Sequence, residues 1–214
     1  GAWFGTNPLI GNRPVRSVPW SLTASRRIRQ TFVHNLQLRT DEERVAILEL
    51  LPSIGSAAVD LALPWVDNNT VSLPVRRAAI GVLVQFDRPI ALQRLVTCAT
   101  TTTEPLVLRQ LALTGLLANP SETATRGLQE LVQHPTTPAV LLALAVPTLA
   151  QRDDLPEERL EQLLEHRNPA VLVAGLQAVN QLENNHARRW QTLVVEHLQH
   201  TSQAVRQAAI ETVR

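Results

Sequence analysis

The chain has 214 residues, with 20 Lys+Arg against 19 Asp+Glu for a formal net charge of +1, and one cysteine. A balance this close to neutral lacks the basic surplus of proteins that track phosphates or anionic membranes, and a single thiol excludes an intrachain disulfide framework or a multi-cysteine metal site. Aromatics make up 3% of the chain, tyrosine is absent and glycine is low at 8, which argues against a turn-rich β-sandwich and for close packing of Leu-, Val-, Ala- and Ile-rich helices.

Residues 1–20 hold Pro8, Pro14 and Pro19 with three glycines and read as an irregular N-terminal arm, anchored by Trp3, Phe4 and Trp20. The start lacks both an initiator Met and the basic-then-apolar pattern of a signal peptide, so it reads as a trimmed or processed product. A first helix is expected from Ser21 to Leu38, capped by Ser21 or Thr23, with Ile28, Phe32, Val33 and Leu36 as its apolar stripe.

From residue 41 a repeat takes over. Val75-Arg76-Arg77-Ala78-Ala79-Ile80 recurs as the segments opening at Leu108, Val140, Val171 and Val205, at spacings of 33, 32, 31 and 34 residues. A looser copy opens at Glu43. In each, the leading apolar residue and those three to five positions on share one helix face, and small residues such as Ala79, Ala112, Gly175 and Ala209 admit a close neighbour. A second helix is expected after each, near 56–66, 89–99, 121–134, 156–166 and 186–200, with Pro89, Pro120 and Pro156 at or before helix starts and Ser121 as a cap. Such pairs bury their stripes only by stacking on one another.

The pattern resembles the HEAT family, in particular the short bacterial-type repeats that open Val-Arg-x-x-Ala; Pro74–Ala79 and Ala204–Ala209 carry the likeness best, and it covers about residues 41–214. The resemblance implies an all-α fold, a right-handed α-solenoid of five to six helix pairs over residues 21–214, ending within the last repeat. The protein is then expected to continue beyond Arg214 or to be covered there by a partner. It also implies that second helices line a concave surface, and that Arg44, Arg76, Arg109 and Arg206 form a ladder pairing with acids of the preceding turns, Asp67 serving Arg76.

The candidate contact residues follow from that surface. Arg188, Arg189 and Trp190 combine the residue types enriched in binding hot spots, and Glu158, Arg159 and Gln162 with Arg126 and Glu130 give neighbouring helices a mixed charge suited to a protein or peptide partner. Packing of Trp190 into the core and solvation of the charged side chains is the reading favoured over it. His134, His166 and His200 each fall at the end of a second helix, where an imidazole can bond to the last carbonyls and complement the dipole. Cys98 sits in an apolar run and reads as a buried thiol. No Gly-rich phosphate loop, nucleophile elbow or zinc-protease helix occurs.

The expectation is a non-catalytic protein- or peptide-binding scaffold with no cofactor, no metal and no membrane span. The compartment stays open, with the cytoplasm favoured. Two alternatives stand beside it: a bilin lyase-like or chaperone-like protein, because bilin lyases carry similar repeats, and a nucleic-acid-binding HEAT protein, which the near-neutral charge disfavours. Lysine is absent, all 20 basic residues being arginine; GC-rich codon bias accounts for this only in part, because asparagine is plentiful.

Overall fold

The computed structural model describes residues 30, 31, 34, 36, 40–181 and 184–213, with backbone alone at 184–189. The expected arm at 1–20 lies outside the described residues, as does most of the helix expected at 21–38. Of that helix Gln30, Thr31, His34 and Leu36 are helical, and Leu36 is buried.

Among the described residues the chain is all-α, with eleven α-helices and no strand. In order they are α1 (Asp41–Leu50), α2 (Ala57–Val66), α3 (Leu73–Leu83), α4 (Pro89–Thr100), α5 (Leu106–Ala118), α6 (Glu122–Gln133), α7 (Ala139–Gln151), α8 (Glu157–Leu164), α9 (Pro169–Gln181), α10 (Asn184–Glu196) and α11 (Gln203–Val213). Local chemistry sets the starts. Thr40 and Glu43 form a reciprocal capping box at α1, the Ser121 hydroxyl accepts the Ala124 N–H at 3.3 Å at α6, and proline opens α4 and α9, where its missing N–H has no helical partner to lose. Gly55, at φ 77°, ends the 3-10 turn Leu51–Ile54 in a conformation that glycine alone adopts freely.

The odd-numbered helices touch in unbroken succession from α1 to α11. Each even-numbered helix packs more closely on the odd helix that follows it than on the one before. Among the described residues the even helices α4 and α6 pack closely, and α2 reaches α4 through the Asp67–Arg94 ion pair. The core is aliphatic, with Leu48, Ile80, Leu95, Leu113, Leu128 and Leu141 among its fully buried side chains. Each such side chain is worth about 1.5–3 kcal/mol relative to leaving it in water.

The repeat register differs from the expected one at a single helix. Val75, Leu108, Val171 and Val205 are each the third residue of their helix and each 0% exposed, as expected. In α7 the third residue is Leu141, also 0% exposed, whereas Val140, the expected leading residue, is 39% exposed. The breaker-rich run Pro135-Thr136-Thr137-Pro138 delays the helix start by one residue, and position along the helix then decides which side chain faces inward.

The arginine ladder is present, with mixed partners: Arg44 pairs with Asp41 at 2.7 Å, Arg206 donates from Nη1 to the His200 and Thr201 carbonyls of the preceding turn, and Arg76 does not meet Asp67. Arg76 Nε donates to the Val66 carbonyl and Arg109 Nε to the Ala99 carbonyl, both at 2.9 Å, so each guanidinium satisfies an orphan carbonyl at the end of the preceding helix. Arg44 Nε likewise donates to the Leu36 carbonyl at 2.9 Å. The carboxylate on Arg76 is Glu104 rather than Asp67, because the chain leaves α4 directly over Arg76, while Asp67 turns outward to Arg94. Where the arginine is missing other groups take over: Thr137 Oγ1 donates to the Leu131 carbonyl at 2.6 Å, and His197 Nε2 meets the Leu164 carbonyl at 2.7 Å.

The recurring histidines act as acceptors instead of capping carbonyls. Nδ1 of His166 accepts the N–H of Asn168, and Nδ1 of His200 that of Ser202, each at 3.0 Å. His134 receives the Thr136 N–H at 3.4 Å. The ring lies past the last helical turn, so it closes the interhelix turn two residues on, as an Asx side chain does.

Two glycines set helix spacing. A Cβ on Gly127 of α6 would collide with the side chain of Val96 on α4, and one on Gly115 would lie 2.9 Å from Leu95 Cδ1. Gly127→Ala is therefore expected to lower the urea midpoint, costing about 1–3 kcal/mol of overpacking against the roughly 1 kcal/mol that alanine gains in a helix. Gly81→Ala, with no atom within 4 Å, is expected to raise it.

Candidate functional site

The candidate residues on the even-numbered helices do not assemble into one site. Arg126 and Glu130 lie on α6 and Glu158, Arg159 and Gln162 on α8, two helices that do not pack closely. Arg126 pairs with Glu122 of its own helix at 2.6 Å, both side chains well exposed, a pair worth a few tenths of a kcal/mol at most. Glu130, Glu158 and Gln162 are exposed. Arg159 is half-buried, donates from Nη1 to Gln162 Oε1 one turn on, and has its pKa pushed down by burial. Arg126, Glu130, Glu158 and Gln162 thus lie on solvated helix faces, whereas Arg159 keeps its Nε buried.

Trp190 needs a correction. It is 2% exposed and belongs to the hydrophobic core, because the indole lies on the inward stripe of α10 with Val194 four residues on. Its ring is thus packed inside the fold and not presented on the surface. Arg188 and Arg189 lie in α10, and their side chains fall outside the described residues.

What the chain does assemble lies on the odd-numbered helices. A groove of about 580 Å³ runs across α1, α3 and α5. Val45, Leu48, Leu73, Ala78, Val82 and Leu111 give it an apolar floor, and Glu49 and Arg77 place one charge of each sign on its rim. The apolar surface continues beyond it. Leu73, Leu106, Val107, Val140 and Leu144 are each 38–44% exposed. They occupy the first, second or sixth positions of α3, α5 and α7. Scattered exposed aliphatics are ordinary; here the first position is shared by α3 and α5 and the second by α5 and α7, which gathers exposed aliphatics in the first turns of three odd-numbered helices. Sequence reasoning missed this face because it assigned Val140 to the core. The available signal was the recurrence of aliphatics immediately ahead of the buried third position.

Cys98 is buried, and desolvation, reinforced by the Glu104 charge, pushes its thiol up to about 12 from an ordinary value of 9.0. It is expected to react with a disulfide probe at pH 8 only after denaturant is added. The sign follows from linkage: the folded state holds the proton more tightly, so this contribution to stability is complete below pH 9.0 and vanishes as pH rises toward 12. Among the described residues no three His, Cys, Asp or Glu side chains converge as metal ligands, and no helix is long and apolar enough to cross a membrane.

No family model and no curated protein matches the chain. Among solved structures, the crystal structure of an engineered protein aligns with a TM-score of 0.53 at 16% identity, over 86% of this chain and 96% of its own. At that identity the likeness concerns the fold alone. Human deoxyhypusine hydroxylase in complex with glycerol aligns with a TM-score of 0.45 at 14% identity, over 91% of this chain and 90% of its own, a likeness too loose to argue from.

Proposed function

We propose that the chain is a HEAT-like α-solenoid that binds a protein or peptide on the face of its odd-numbered helices and catalyses no reaction. The observation that carries this reading is the set of exposed aliphatics in the first two turns of α3, α5 and α7, of which Leu73 and Val107 line the apolar groove across α1, α3 and α5. On this reading the partner lies on the face of the odd-numbered helices, which touch in succession, in place of the even-helix surface first expected. Shallow apolar ground with a polar rim is the composition of protein interfaces, and the single acid and single base on the rim favour a protein segment over a phosphate backbone.

The test is a pull-down from the source organism's lysate, read by mass spectrometry, with the parent chain, a Val107→Asp/Leu144→Asp variant and an Arg188→Glu/Arg189→Glu variant, all first checked for unaltered thermal melts. A protein retained by the parent and the arginine variant, and lost by the aspartate variant, is the expected result. Loss with the arginine variant alone would return the site to α10, and indifference to both would overturn the reading.

A further inference from the structure

One local device closes several of the turns: a side chain accepts the backbone N–H two residues on. Oδ1 of Asn68, Asn119 and Asn168 accepts the N–H of Thr70, Ser121 and Ala170 at 2.9–3.0 Å. Nδ1 of His134, His166 and His200 does the same for Thr136, Asn168 and Ser202. The two kinds are not spread evenly. The α2–α3 turn carries Asn68, whereas the α6–α7, α8–α9 and α10–α11 turns each carry a histidine. Between Thr40 and Ala118 the chain has no histidine at all.

The two acceptors respond differently to acid. A carboxamide oxygen goes on accepting, but an imidazole nitrogen accepts only while the ring is neutral, and both ring nitrogens are donors once it is charged. Histidine takes its proton between about pH 8 and pH 5. A proton on Nδ1 of His166 or His200 would face a backbone N–H at 3.0 Å, donor against donor. These turns use the neutral ring, so their contribution to stability is complete above that range and is lost as pH falls through it. His134 is less exposed to the effect. Its bond to the Thr136 N–H is longer, at 3.4 Å, and the Thr136 hydroxyl, 3.1 Å from the same nitrogen, can accept as well as donate. His197 behaves in the opposite sense: its Nε2 faces the Leu164 carbonyl at 2.7 Å, an acceptor only, so the charged ring keeps that bond.

The surrounding charges do not offset the loss. Arg206 donates from Nη1 to the His200 carbonyl at 2.7 Å, and the His197 ring stands edge-on 6.1 Å from that of His200, so positive charge gathers there as pH falls. Glu165 and Arg167 flank His166 with one charge of each sign. The His134 N–H bonds to the Glu130 carbonyl one turn back. Among the described residues no carboxylate forms an ion pair with any of the three rings.

We infer that the α8–α9 and α10–α11 turns form an acid-sensitive device. Protonation of His166 and His200 unfastens them, and the helices from α8 to α11 loosen while those from α1 to α5 stay closed.

The test is native-state hydrogen exchange of the full 214-residue chain near pH 8 and near pH 5, the two sides of the imidazole range, corrected for intrinsic exchange rates. Compared are the parent, His166→Asn/His200→Asn, which keeps an acceptor at both pH values, and His197→Gln, which keeps a donor. In the parent, acidification is expected to raise the opening of α9 and α11 about tenfold relative to α3. The asparagine pair is expected to remove that rise, and His197→Gln to retain it. Circular dichroism melts near pH 8 check that the variants fold; should the pair melt early, the single His166→Asn followed at α9 decides the same question. No rise in the parent, a rise equal in α3, or a rise that survives the asparagine substitutions overturns the inference. A rise abolished by His197→Gln overturns it as well.

Discussion

Arg76→Ala is expected to lower the unfolding free energy by about 3–5 kcal/mol, the range for breaking a buried ion pair from one side, while Asp67→Asn costs less than about 1 kcal/mol. Arg76 is 7% exposed. Its Nε holds the Val66 carbonyl at the end of α2, and its Nη2 lies 2.8 and 2.7 Å from the two Glu104 oxygens. Truncation strands two groups at once: a carboxylate whose side chain is only 18% exposed, and the helix-terminal Val66 carbonyl. Asp67, by contrast, pairs with Arg94 where the side chains are 49% and 42% exposed, and water replaces that partner at little cost. Urea titrations of the two variants against the parent decide the matter. If Asp67→Asn proves the more damaging, the ladder runs to the preceding turn after all and Glu104 is incidental.

The second large effect is at Trp190. Trp190→Ala is expected to cost about 3–5 kcal/mol, because an indole at 2% exposure leaves a cavity that the surrounding helices refill only in part. For a chain of this size that is a fall in Tm of roughly 6–20 °C. Trp190→Phe, which keeps most of the buried area, should recover more than half of the loss. Calorimetry on both variants separates the core role from a surface role, since an exposed hot spot would leave Tm unchanged while abolishing partner capture.

Much of the fold can be read from the chain without coordinates. Position three of α3, α5, α9 and α11 is named by apolar spacing alone, and α6 by Ser121 ahead of it. These signals are local: which residues share a helix face is settled within one or two turns, and breakers act on their own neighbours. The same locality explains the misses. The one-residue delay at α7 depends on how Pro135-Thr136-Thr137-Pro138 is traversed, and apolar spacing does not count loop residues. Gly115 and Gly127 look unremarkable until Leu95 and Val96 of another helix stand against them.

The candidate site was less legible. Arginine beside tryptophan at 188–190 has the composition of a hot spot, yet composition does not say which side of a helix faces inward, and Trp190 proved to be core. The aliphatics at the starts of α3, α5 and α7 looked like ordinary helix filling, because nothing local marks a residue as left over once the core is closed.

By itself, then, the sequence determined the helices, their order and the small residues that let them stack, since periodicity, caps and prolines act within a few residues. Only the tertiary structure decided that Arg76 meets Glu104, 28 residues away, and that Thr137 and His197 stand in for missing arginines. It also decided that Leu73, Leu106, Val107, Val140 and Leu144 stay unburied in the first two turns of α3, α5 and α7. Those outcomes depend on loop paths and interhelix spacing, which bring together side chains that no local pattern relates.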